Sequence, residues 1–323
     1  MVRHRRTKRS ARRRDIGHAA AMPNPQIRPA TLNAEAWTLI FVLALPWGGS
    51  FLFFRLLAAE LPSFTIVLGR VALAVAALLV VLRLRGARLD VPWRGFLVMG
   101  LLNNVIPFSL FAWAEIRISG GEAAILNATT PIFAALVLRV LAAERLTAAR
   151  IAGVGLGFAG VAVLVGPSAL TLDGDLWAKL ACLAAALSYG FTALWGRRLR
   201  HVPPLQAATA QCLCSTAILL PLVAVIDQPW TLPMPSPTAW AALLGIAWIS
   251  TASAYLIFFR VVAIAGAANV MLVTFLAPVS ATALGAIVLG ETIGWNAIAG
   301  MALIFAGLAA IDGRLLSRAK APG

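Results

Sequence analysis

Charge is scarce in this chain: only 12% of its 323 residues are Asp, Glu, Lys or Arg, about half of what a soluble domain carries. That shortage excludes a large water-soluble catalytic domain. Lysine occurs only as Lys8, Lys179 and Lys320, and none sits in a glycine-rich Lys-Ser/Thr loop that cradles phosphates, so no nucleotide-driven step is expected. Histidine occurs only as His4, His18 and His201, outside the apolar runs, and neither His-Glu-x-x-His nor Gly-x-Ser-x-Gly is present. An intramembrane enzyme lacks its parts, since Asp173 and Asp175 fall in a connection. Cys182, Cys212 and Cys214 are odd in number and lie in apolar runs; two residues apart on a helix, Cys212 and Cys214 point to different faces. They read as packing residues, so neither a disulfide set nor a metal site is expected, and no cofactor is implied.

What the chain has instead is apolar length. Hydrophobic residues make up 61% and the mean hydropathy is +0.88. Crossing a hydrocarbon core of roughly 30 Å takes about 20 apolar residues in a helix. The runs are continuous and rich in Leu, Ala and Val, unlike the alternating runs of a membrane β-barrel. The expected fold is all-α, a polytopic membrane protein with ten transmembrane helices near 36–54, 62–82, 95–114, 120–138, 149–166, 176–195, 206–226, 238–258, 266–289 and 294–311.

The net charge of +15 is concentrated where it orients a membrane protein and not where it would bind nucleic acid. Eight of the 27 basic residues lie between Arg3 and Arg14, in a basic, disordered tail over 1–35 that meets lipid headgroups at most. No apolar stretch follows its arginines as a twin-Arg signal requires, and Met22 offers a second start. With the N-terminus cytoplasmic, 23 basic residues fall inside and 3 outside, with Arg70 within a span. Both termini, including the 312–323 tail, are therefore expected in the cytoplasm of a cell with a bacterial-type plasma membrane.

The chain also repeats itself. A shift of 147 lays Pro131 on Pro278, Glu144 on Glu291, Ile151-Ala152-Gly153 on Ile298-Ala299-Gly300 and Phe158-Ala159-Gly160 on Phe305-Ala306-Gly307. A shift of 142 lays Ala44, Leu45, Trp47, Gly48 and Arg55 on Ala186, Leu187, Tyr189, Gly190 and Arg197. Two five-helix units are expected, 36–166 and 176–311. Because five is odd, the second enters the membrane from the opposite side, and two such halves can exchange conformations in alternating access.

With these motifs the chain resembles the EamA family of the drug/metabolite transporter superfamily. The carriers are Trp47-Gly48-Gly49-Ser50, Pro62 with Arg70, Ala114-Glu115, Ile125-Leu126-Asn127-Ala128-Thr129-Thr130-Pro131, Glu144 with Gly153 and Gly160, and then Pro278, Glu291, Gly300 and Gly307. Glu122 departs from the pattern, where an uncharged residue is expected. The resemblance implies that four helices of each half enclose a cavity while the fifth packs outside. It also implies export of a small metabolite such as an amino acid.

Candidate site residues follow from polarity at depth. Arg70 lies about eight residues into its span, and an intramembrane Arg is a functional hypothesis by default, paired with Glu115, Glu122 or a substrate carboxylate. Asn103, Asn104 and Asn127 are amides at bilayer depth that either read substrate or lock helices. Pro131 and Pro278 are expected to kink their helices and free the carbonyls of Asn127 and Thr274. Trp47, Phe51, Phe108, Trp113, Tyr189, Trp248 and Tyr255 fall in spans that the resemblance assigns to the cavity, with Trp47, Tyr189 and Trp248 nearest mid-depth. Ser50 joins them through its motif. For proton coupling only Glu115 and Glu122 qualify, because Glu144 and Glu291 lie at helix ends; a uniporter following the substrate gradient is the alternative. Gly153, Gly157 and Gly160, echoed by Gly300 and Gly307, form small-residue faces suited to close helix approach within the protein or in a homodimer.

Overall fold

The computed structural model describes residues 34–143, 147–165, 174–265 and 273–312. Both tails, Arg145 and Glu144 lie outside the described residues. Among the described residues there is no strand. The helices are α1 (Ala34–Ala58), α2 (Ser63–Leu84), α3 (Trp93–Gly100), α4 (Ile106–Ala114), α5 (Gly120–Asn127), α6 (Thr130–Leu141), α7 (Ala148–Val165), α8 (Gly174–Trp195), α9 (Pro204–Leu222), α10 (Pro237–Leu244), α11 (Ala254–Ala265), α12 (Val273–Leu289) and α13 (Trp295–Asp312). Wider π turns join α3 to α4 over Leu101–Val105 and α10 to α11 over Gly245–Ser253, so each pair is one continuous rod. Among the described residues seven rods are long and apolar enough to cross a membrane, and Ile151–Leu164, Leu276–Leu289 and Trp295–Ala310 are shorter apolar stretches.

Starts and stops follow local chemistry. Pro62, Pro92 and Pro203 directly precede α2, α3 and α9, and Pro204 and Pro237 open α9 and α10, where a missing amide costs nothing. Ser119 and Glu122 form a reciprocal capping box on α5. Gly86 and Gly290 turn the chain beyond α2 and α12 with φ of 61° and 67°. Before Pro131 the α-helical pattern lapses for two residues, Ala128 and Thr129, which keep right-handed helical dihedrals, so the two parts run on as one rod. α5 ends at Asn127 and α6 restarts at Thr130, which places Pro131 in a first turn. Pro278 does sit inside α12, as Pro46 sits inside α1.

Lateral packing couples α1 to α12, α6 to α8, α2 to α9, and α7 to α13. Glycine permits the closest of these approaches. A Cβ on Gly48 would stand 2.7 Å from the Ala277 carbonyl oxygen and 2.8 Å from the Ala281 nitrogen, so α1 and α12 touch backbone to backbone. At Gly190 the same construction meets Phe133 and Ala134 of α6 at 3.0 and 3.2 Å. The small-residue faces of α7 and α13 are spent on each other, with Gly160 and Gly300 each facing the other's carbonyl oxygen. The main core joins Phe54, Leu57, Ile66, Ile125, Leu219 and Ile246 from the surrounding rods.

Polar clasps define two ends. At one, Arg260 meets Glu35 at 2.9 Å and the Trp195 ring nitrogen donates to the Gly95 carbonyl oxygen. At the other, the amide and hydroxyl of Thr65 donate to Asp227, and the amide and hydroxyl of Ser236 donate to Glu60. Those two donors hold the Glu60 carboxyl below its usual range. Arg55, Glu115, Glu122 and Lys179 gather at this second end too.

Candidate functional site

Arg70 is the centre of the site. It lies about 12 Å along α2 from the Arg55 end at roughly 1.5 Å per residue, and only 5% of it is exposed. Its Nε donates to Thr251 Oγ1 at 2.9 Å, and a terminal nitrogen reaches Ser50 Oγ at 3.4 Å. Thr251 in turn donates to the Ile246 carbonyl oxygen at 2.8 Å across the π turn, so one hydroxyl both receives the guanidinium and closes the widened helix. The guanidinium carbon sits 3.7 Å from the Phe108 ring centre and 5.1 Å from that of Phe54. Two aromatic faces thus replace part of the hydration a buried cation loses.

The expected ion pair is not there. Among the described residues no carboxylate pairs with Arg70, although Glu115 acts on it from a greater distance. Glu122 is engaged elsewhere, 3.6 Å from Lys179 and closing the α5 cap. Held by two hydroxyls and two rings, the guanidinium has N–H donors that no carboxylate among the described residues takes up.

Beside Arg70 lies an amide and hydroxyl network. Asn104 is wholly buried and donates to Ser215 Oγ at 3.0 Å, while its own carbonyl oxygen has no partner. Gln211 donates to the Tyr255 hydroxyl at 2.5 Å, and Asn103 donates to both at 3.4 and 3.5 Å. Ser188 donates to the Leu102 carbonyl oxygen at 2.7 Å, a group in the π turn beside these amides. Tyr189, Tyr255 and Cys212 all lie within electrostatic range of the guanidinium. Of the residues expected at the site, Ser50 alone is hydrogen-bonded to Arg70, while Asn104 belongs to the amide and hydroxyl network.

Other candidates stand apart. Trp47 packs on Phe258 with ring centres 5.7 Å apart, in a separate cluster of α1, α11 and α12. Trp248 is 49% exposed and donates to the Leu73 carbonyl oxygen, so it belongs to the surface between rods and not to the interior. Trp113 is also exposed, against Arg117, and Phe51 packs edge-on against Phe111. The Asn127 carbonyl oxygen accepts from Thr130 Oγ1 at 2.7 Å, a local partner ahead of Pro131. Thr274 is half-buried in the first turn of α12, four residues before Pro278.

Thr251, Gln211 and Ser215 were not singled out by sequence, because one hydroxyl or amide in a helix carries no periodic signal. A signal existed all the same. The shift of 147 that aligns the prolines also lays Asn103 and Asn104 on Ser250 and Thr251, and both pairs occupy π turns, a form that recurs at functional sites. Glu291 lies at a helix end, as expected, and still faces a charged partner. It stands 3.9 Å from Arg55, which donates to the Glu115 backbone carbonyl. Glu115 itself is fully buried, and neither of its carboxyl oxygens has a hydrogen-bond partner. Among the described residues no group of His, Cys, Asp and Glu is arranged to hold a metal.

The EamA-like transporter family model matches residues 36–166 and 176–311. A relative from Streptantibioticus cattleyicolor named "Probable terminal-alkyne amino-acid exporter" is 27% identical over 301 residues, covering 90% of this chain and 99% of its own. The "Uncharacterized inner membrane transporter YedA" of Escherichia coli K12 is 26% identical, covering 87% and 92%. A solved crystal structure superposes with a TM-score of 0.65 at 21% identity over 90% of this chain and 100% of its own, a likeness of fold alone. The apolar rods, the buried polar centre and these relatives describe one multi-pass membrane protein: the chain belongs to the EamA-like transporter family and is a transporter, not an enzyme.

Proposed function

We propose that the chain exports a small amino-acid-like carboxylate across a bacterial plasma membrane by alternating access, with Arg70 taking the carboxylate. The observation that carries this reading is a buried guanidinium with no protein carboxylate bonded to it among the described residues. Burying an unneutralised charge costs several kcal/mol, a cost that an anionic ligand offsets. Asn104, Tyr189 and Tyr255 supply the adjoining amide and phenol groups. The relative named as an amino-acid exporter supports this substrate class.

Ten crossings in two inverted five-helix halves, with both termini cytoplasmic, supply the motion. Gly48 meets Ser280 and Ala281 while Gly190 meets Phe133 and Ala134. The shift of 147 lays Phe133 and Ala134 on Ser280 and Ala281, so the two crossings exchange under the repeat. The α1–α12 contact on one side thus corresponds to the α8–α6 contact on the other, as a pseudo-two-fold axis in the membrane plane requires. In this orientation the Arg55 end faces outward. Glu122 is occupied by Lys179, so proton coupling falls to Glu115; a uniporter is the alternative reading.

The test is purified protein in liposomes, offered a panel of amino acids, their amides and their decarboxylated amines, with and without a pH gradient. Carboxylates are expected to move and amines are not. Transport of the amines at the same rate would overturn the role of Arg70, and transport indifferent to the gradient would favour the uniporter.

A further inference from the structure

Three helix ends converge on Arg55 at the outward end. Arg55 closes α1, donates to the backbone carbonyl of Glu115 just beyond α4, and stands 3.9 Å from Glu291 just beyond α12. The Glu115 carboxyl lies behind this contact with no exposed surface and no hydrogen-bond donor on either oxygen. A carboxylate in that position has lost its water and gained nothing in exchange, which favours the neutral acid. A cavity of about 110 Å³, room for a few waters, is lined by Ser119, Gly121, Glu122, Thr282 and Glu291. It reaches Glu291 from outside but is not lined by Glu115.

We propose that Glu115, Arg55 and Glu291 form a proton site that latches the outer mouth; the proposal rests on the transport reading above for its direction. With Glu115 protonated, Arg55 is shared between the neutral Glu115 segment and one carboxylate, Glu291, and the mouth is shut. When water enters through the cavity, Glu115 releases its proton to it and becomes a second anion beside Glu291. Two carboxylates then compete for one guanidinium and repel each other, and the ends of α4 and α12 separate. The remaining charged and titratable groups around Glu115 do not remove this conflict. Arg70 on α2 lies deeper and is held by Thr251, Glu122 on α5 is paired with Lys179 of α8, and Cys182 on α8 is a buried thiol. The state that binds the proton is favoured as pH falls, so acid outside closes the mouth and alkali opens it.

The test reads the mouth directly. In a protein whose three buried native cysteines are replaced, Thr282→Cys places a thiol on the cavity wall. Its rate of labelling by a membrane-impermeant maleimide is measured in intact cells at external pH 5.5 and 8.5. Each rate is divided by that of Met234→Cys, whose position is 83% exposed and reports the thiol's own pH response. The ratio is expected to rise several-fold at pH 8.5. It should stay low at both values when Glu115→Gln is added, because the amide mimics the neutral acid. Glu291→Gln should likewise remove the step, and it decides the matter if Glu115→Gln fails to fold. A step that survives either substitution, or no step in the parent, overturns the proposal. Solute movement in liposomes without the step removes the proton site and leaves the transport reading standing; a step without solute movement does the reverse.

Discussion

Arg70 could be picked out by sequence because a cation inside an apolar run has few innocent explanations; its surroundings could not, because they arrive from α1, α4 and the α10–α11 rod. The structure makes its requirements specific. Arg70→Gln should insert and abolish transport, and Arg70→Lys should not restore it, since an ammonium keeps the charge but loses both the fork geometry and the stacking on Phe108. Thr251→Val removes the acceptor of Nε. A hydrogen bond to a charged group contributes about 1.5–3 kcal/mol, so the variant should raise the substrate KM by roughly tenfold or more. Vesicle uptake at several concentrations checks both. An Arg70→Lys protein that transports like the parent would sink the guanidinium assignment. Pairing Arg70→Gln with Glu115→Gln should rescue nothing, because no ion pair joins the two among the described residues.

Among the elements, hydropathy located the rods because continuous apolar runs of about 20 residues have one physical use. It could not show how a helix adjusts ahead of a proline. Before Pro131 the helical pattern lapses at Ala128 and Thr129, and the Thr130 hydroxyl takes up the Asn127 carbonyl, a local bond that no pattern announces. The π turns were equally silent, since they add a residue to a turn without changing composition. Glycine spacing was more informative, and it yields a graded prediction. Gly48→Ala forces a Cβ to within 2.7 Å of a backbone oxygen of α12, whereas Gly190→Ala meets α6 backbone at 3.0 Å or more. Backbone on both sides gives little room to relax, so Gly48→Ala should lower folded yield and melting temperature more than Gly190→Ala. Fluorescence size-exclusion chromatography after a heating series measures the order, and equal losses would contradict the close crossing of α1 and α12.

At the scale of the whole molecule the all-helical, multi-pass class was legible in the apolar runs, and the orientation that the loop charges predict is simple to test. In the same cysteine-replaced protein, Met234→Cys should react with an impermeant maleimide added to intact cells, and Arg88→Cys, exposed beyond α2, should react only after the membrane is broken. The reverse pattern would invert the orientation and with it the side on which Arg55 lies. α7 and α13 leave no room for a side chain between them: a Cβ on Gly160 or Gly300 would meet the other's carbonyl oxygen, and one on Gly307 the Gly153 carbonyl oxygen. Lipid tails are as apolar as leucine, so such a pair is held in a bilayer by close packing and not by escape from solvent. A larger residue would open a seam that acyl chains can enter, and Gly300→Leu should therefore make the folded yield depend on the detergent or lipid used for extraction, a dependence the parent lacks in fluorescence size-exclusion chromatography.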